Sequence, residues 1–93
     1  MLVLQERSVA GSIDPAALRG LGLSAREAEV LAWVALGKTN GEIAIIIGVS
    51  VRTVDKHVER VRDKLSVETR TAAAARALTW LEEKRARTSR WAS

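Results

Sequence analysis

The stretch GEIAIIIGVSVRTVDKHVERVRDKL, Gly41 to Leu65, decides how this chain folds. It runs apolar through Ile45, Ile46 and Ile47, breaks at Gly48, restarts at Ser50 and then turns strongly charged. From there Val51, Val54, Val58, Val61 and Leu65 recur at spacings of 3, 4, 3 and 4, the apolar stripe of one amphipathic helix. At about 100° per residue the opposite face holds Arg52, Thr53, Lys56, Glu59, Arg60 and Asp63. His57 and Lys64 lie on one flank of that face, Asp55 and Arg62 on the other.

The segments on either side extend the helical pattern. Thr39-Asn40-Gly41-Glu42 is a capping box that starts the apolar helix carrying Ile43, Ala44, Ile46 and Ile47, and Gly48 supplies its stop. Ser24-Ala25-Arg26-Glu27 is a second such box, predicting a helix from Ala25 with Ala28, Leu31, Val34 and Ala35 inward and Gly37 beyond its end. A last helix is predicted near Thr69, with Arg70, Ala73, Ala74, Ala77 and Leu81 on one side, passing into the basic tail KRARTSRWAS. Upstream, Asp14-Pro15 opens a helix of one or two turns that ends at Gly20, within a linker-like stretch. LVLQE at residues 2–6 reads as a short strand or the tail of a preceding element.

Composition narrows the class. A chain of 93 residues is one domain, and with Tyr and Phe absent and alanine abundant, close-packed helices are favoured over a sheet. The fold class expected is therefore all-α, with an extended C-terminal helix. Without cysteine there is no disulfide, thiolate zinc site or thiol nucleophile, and a single His makes metal binding improbable, so no cofactor is expected. No nucleophile–base pair or phosphate-cradling glycine loop can be assembled, which argues against an enzyme. Apolar runs stay far short of the roughly 18 to 20 residues of a membrane span, and the N-terminus has no leader pattern, so a soluble, unprocessed chain is expected.

The net charge is +4. Residues 1–22 contribute none of it, since Arg7 and Arg19 offset Glu6 and Asp14, so a surface for an acidic partner must lie after Leu23. A short apolar helix joined by a tight turn to a helix with a basic front is the shape of a helix-turn-helix, whose second helix enters the major groove of DNA. The apolar helix is then read as the brace that holds the reading helix on the core.

REAEVL at 26–31, GKTNGEIA at 37–44, SVRTVDKHV at 50–58 and KLSVETRT at 64–71 carry a further likeness. Residues Leu23 to Leu78 resemble the LuxR-type (GerE or FixJ type) four-helix DNA-binding domain of bacterial transcription regulators. The resemblance implies a helix-turn-helix in the second and third helices, a fourth helix used for dimerisation, and binding to inverted-repeat operators as a homodimer. It implies base or groove contacts by Arg52, Thr53, Lys56, His57 and Arg60, and phosphate contacts by Lys38, Thr39, Asn40, Ser50 and Lys64. RNA polymerase is a further implied partner, and the location implied is the bacterial cytoplasm. No small-molecule ligand or membrane partner is expected within this chain. The domains expected are a linker at 1–22, the helix-turn-helix domain at 23–81 and a basic tail at 82–93.

The dimer face is expected at Ala72, Ala75, Arg76, Thr79 and Trp80, with packing inside the monomer the alternative for Trp80. His57 is either a half-buried packing residue or a phosphate contact, and Trp33 is expected to pack. Asp55 departs from the Lys or Asn common in the family and is read as accepting from cytosine or orienting Arg52. Glu42 looks structural, Gly41 stands where a longer polar side chain is usual, and Ser66 replaces the usual Gly after the reading helix. Two other functions remain open: the promoter-reading region of a sigma factor, and an interaction module that pairs with a full-length regulator without binding DNA. KLSVETRT and the Ala-rich helix argue against the first, while Asp55, Glu59 and Asp63 encourage the second.

Overall fold

The structure, a computed structural model, describes residues 13–92. Its regular elements are all helical: α1 (Pro15–Leu18), extended by a 3-10 turn (Arg19–Leu21), then α2 (Ala25–Ala35), α3 (Asn40–Ile47), α4 (Val51–Leu65) and α5 (Arg70–Ala92). The all-α expectation holds, and α3 with α4 forms the helix-turn-helix. The apolar run at residues 2–6 lies outside the described residues.

Each helix begins and ends where its local chemistry directs. The Ser24 hydroxyl accepts from the Glu27 amide and the Glu27 carboxylate from the Ser24 amide, and Thr39 and Glu42 repeat this exchange at the start of α3. Gly48, at φ 74, closes α3 in the left-handed conformation that lets the chain turn into α4 within three residues, Gly48 to Ser50. Ser66 ends α4 at φ 58, a conformation that costs a residue with a Cβ about 1 kcal/mol. The carbonyls of that end are satisfied by the Ser66 and Val67 amides, and Arg76 Nη1 donates to the Leu65 carbonyl at 3.0 Å.

The core sits where α2, α4 and α5 meet. Val30, Leu31, Ile43, Val54, Val61, Leu65, Ala73 and Ala77 are all buried in it. Small side chains at Ala73 and Ala77, one turn apart, let α5 lie close on α2.

Several sequence expectations need correction. Residues 13–21 are not a linker: Leu18 is wholly buried, and α1 packs on α2 and α5. A helix of four residues has no periodicity to reveal that it belongs to the core. Trp80 completes the contact, its Nε1 donating to the Ala17 carbonyl at 2.8 Å. A Cβ at Gly20 would stand 2.6 Å from Trp80 Cζ2, so a side chain there would force the indole away. Nor does the last helix pass into a tail at residue 82, for α5 continues to Ala92. EEKRAR at 82–87 consists of strong helix formers without a breaker, with Glu83 four residues before Arg87.

The apolar stripes are also narrower than the periodicity predicts. Val51 is 47% exposed, and on α3 only Ile43 and Ala44 are buried, with Ile45 at 83% and Ile46 at 45% exposed. The bracing role of α3 therefore rests on Ile43 and Ala44, with the half-buried Ile47 packed beside them, and Ile45 and Ile46 need another explanation. Trp33, as expected, packs half-buried against the core.

Candidate nucleic-acid interface

The valine stripe of α4 fixes the rotation of that helix, so the residues opposite Val54, Val58 and Val61 must face outward. Arg52, Lys56 and Arg60 are exposed there, along with Glu59 and Asp63. None of the three cations is engaged by another described residue. Thr53 is half-buried and turned back to the cap, its hydroxyl 3.0 Å from Ser50 Oγ. His57 is half-buried too, and its Nδ1 is out of water with no hydrogen-bond partner among the described residues. A buried acceptor without a donor is tolerated better than a buried donor without an acceptor, which favours the tautomer carrying its proton on Nε2.

Lys38, Thr39, Asn40 and Ser50 gather around the starts of α3 and α4, where free backbone amides favour an anion. Their side chains are not equally available. Thr39 and Ser50 are occupied by capping. Asn40 donates from Nδ2 to Asp55 Oδ1 at 2.7 Å and accepts from Arg70 Nη1, while Arg70 Nη2 donates to the Lys38 carbonyl. Asp55 is therefore held by Asn40, and neither Arg52 nor any other described cation bonds to it. Lys64 stands apart from the group at the far end of α4, where its ammonium lies 2.7 Å from Glu27 Oε1.

Glu27 and Glu42 show how capping and charge set acidity here. Burial works against ionisation of Glu27, but the Lys64 ammonium and the Ser24 amide outweigh it and hold the carboxyl below the usual range. Glu42 is lowered as well, chiefly by the hydrogen bond from the Thr39 amide. Its structural reading as the second half of a capping box agrees with that geometry.

Arg70 belongs to no sequence motif that marks it as functional, yet it ties the start of α3 to α5. The readable signal was an arginine on an otherwise alanine and leucine stripe, at the position where α5 begins. At the positions expected for a dimer face, Ala75, Arg76 and Thr79 are exposed and Ala72 is half-buried. Leu78, 50% exposed, joins them on the same side of α5. Trp80 is half-buried, its indole N–H bonded within the chain.

A three-residue turn between a short helix and an outward-facing basic helix, both set on a helical core, defines a helix-turn-helix domain. The chain belongs to the bacterial regulatory proteins of the luxR family, whose family model matches residues 21–77. That match includes the KLSVETRT block and most of the alanine-rich part of α5.

Similar proteins include the HTH-type quorum sensing-dependent transcriptional regulator RpaR of Rhodopseudomonas palustris, 45% identical over 65 residues, which are 70% of this chain and 27% of that protein. The transcriptional activator protein AnoR of Acinetobacter nosocomialis is 50% identical over 58 residues, 62% of this chain and 24% of its own length. The HTH-type quorum-sensing regulator RhlR of Pseudomonas aeruginosa is 47% identical over 53 residues, 57% of this chain and 22% of its own. The chain thus spans about a quarter of the length of these curated relatives. No solved structure matches it. No helix among the described residues is long and apolar enough to cross a membrane.

Proposed function

We propose that the chain is the operator-reading part of a bacterial transcription regulator, working in the cytoplasm and binding an inverted-repeat site as a homodimer. α4 lies in the major groove, with Arg52, Lys56 and Arg60 at base edges and Thr53 and His57 at its margin. Lys38, Thr39, Asn40 and Ser50 set the register against phosphates, through backbone amides as much as side chains. Lys64 joins them only if DNA draws its ammonium from Glu27. Two copies pair through the exposed side of α5, using Ala72, Ala75, Arg76 and Thr79 around Leu78, while Trp80 stays within the monomer. RNA polymerase is the further partner, a reading supported by relatives named as activators.

The observation that carries this reading is the set of exposed, unengaged cations on α4, Arg52, Lys56 and Arg60, directly opposite its buried valines. Asp55 was one reason to consider a module that does not bind DNA. With that carboxylate held by Asn40, the reason is weaker. Selection from random duplexes tests the proposal. The protein should enrich a pseudo-palindrome, and Lys56→Ala should weaken binding about tenfold and relax preference at one position per half-site. Enrichment of nothing, with only weak binding that fades with salt, would favour the interaction module.

A further inference from the structure

Beside the basic face lies an apolar surface that neither capping nor core packing uses. Val51, the first residue of α4, is 47% exposed, and Ile45 of α3 is 83% exposed. They line one open cleft together with Thr39, Gly41, Glu42, Ala44, Val49 and Ser50, between the starts of α3 and α4. The cleft is open partly because residue 41 has no side chain. A Cβ there would approach nothing closer than Thr39 Oγ1 at 3.9 Å, and Gly41 does not take a positive φ, so the fold does not demand glycine.

Placement decides what could occupy this cleft. It is bordered by Thr39 and Ser50, whose helix starts offer amides to phosphate, and by Val51, next in sequence to Arg52. A duplex seated on α4 would therefore cover it, since N-terminal residues of a reading helix are the ones that meet base edges. The apolar group that duplex DNA offers in the major groove is the C5-methyl of thymine. A protein partner fits less well, because a stable interface needs roughly 800 Å² from each side and the DNA would compete for the same ground.

We propose that Val51 and Ile45, across the gap left at Gly41, read the C5-methyl of a thymine at one edge of each half-site. This rests on the DNA-reading function above and adds a specificity element that the basic residues do not supply. Val51 makes the contact and Ile45 closes its outer side. A longer side chain at position 41 would occupy the same space.

The test uses the operator selected by the unmodified protein, with its thymines replaced one at a time by deoxyuracil, which removes only the methyl. Affinities at fixed salt are compared for the wild type, Val51→Ala and Gly41→Gln. At one position per half-site, uracil should weaken wild-type binding about fourfold, the worth of one buried methyl, and change binding by Val51→Ala or Gly41→Gln less than twofold. Ile45→Ala should fall between. Overlaid unfolding curves for the variants would show that the fold is kept. An operator that is bound tightly but shows no thymine whose methyl the wild type feels more than Val51→Ala overturns the proposal. Failure to select any operator overturns the DNA-reading function, and this proposal with it.

Discussion

The starts of α2 and α3 carry the same device in different surroundings. Ser24 and Glu27 exchange hydrogen bonds of 3.1 and 2.9 Å; Thr39 and Glu42 exchange bonds of 3.1 and 2.8 Å. Locally the two boxes are the same object. Yet Glu27 is 4% exposed and ion-paired to Lys64 across the core edge, while Glu42 is exposed beside the proposed phosphate site. A sequence motif sets the geometry of a cap, and the tertiary fold decides whether that cap also joins two helices.

Replacement of the two glutamates separates these contributions most strongly. Glu27→Ala should cost about 2 kcal/mol, about 1 for the lost cap and about 1 for the partly exposed ion pair, read from urea unfolding. Glu42→Ala should shift the midpoint about half as much, since it loses the same kind of cap but has no interhelical partner. Equal losses would mean that the cap alone gives both residues their value. Lys64→Met comes next, keeping the apolar stem while stripping Glu27 of its counter-charge, with an expected cost of about 1 kcal/mol.

Acid sharpens the contrast further. A carboxyl whose folded pKa is depressed contributes stability that is fully present above its unfolded value, about 4.3 for Glu, and is lost as pH falls through the folded value. The stability gap between wild type and Glu27→Gln should therefore close on titration from pH 6 to below the ordinary glutamate range. A gap that stayed constant would mean that Glu27 is not held ionised by Lys64 and the Ser24 amide. The smallest effect is expected at Glu42→Gln, which keeps the capping box but removes a negative charge near the phosphate site. Unfolding should be unchanged, and DNA affinity at low salt should rise less than about threefold, the gain fading as salt screens it.

Much of this was legible in advance because local rules suffice for it. Ser24, Thr39 and Ser50 mark helix starts, and Gly48 the turn, by chemistry confined to a few neighbouring residues. The valine stripe of α4 announced its own outer face. What stayed hidden depends on residues far apart in the chain. Arg70 holds Lys38 and Asn40 across 32 and 30 positions, Lys64 reaches Glu27 across 37, and Trp80 finds Ala17 across 63. Periodicity also overstated burial at Val51 and Ile46, because it reports the direction of a side chain and not whether anything lies there to cover it.

The sequence by itself therefore determined the helices, their caps, the helix-turn-helix and the resemblance to the luxR family. Those features are written in short-range hydrogen bonding and in the 3.6-residue period. Only the tertiary structure decided that residues 13–21 pack on the core through Leu18, Ile13 and Leu21, that Asp55 is held by Asn40 and that Lys64 is paired with a buried glutamate. It also left Val51 and Ile45 in the open. The reason is the same in each case: pairing and exposure depend on which surfaces the packed helices bring together, and no local pattern records that.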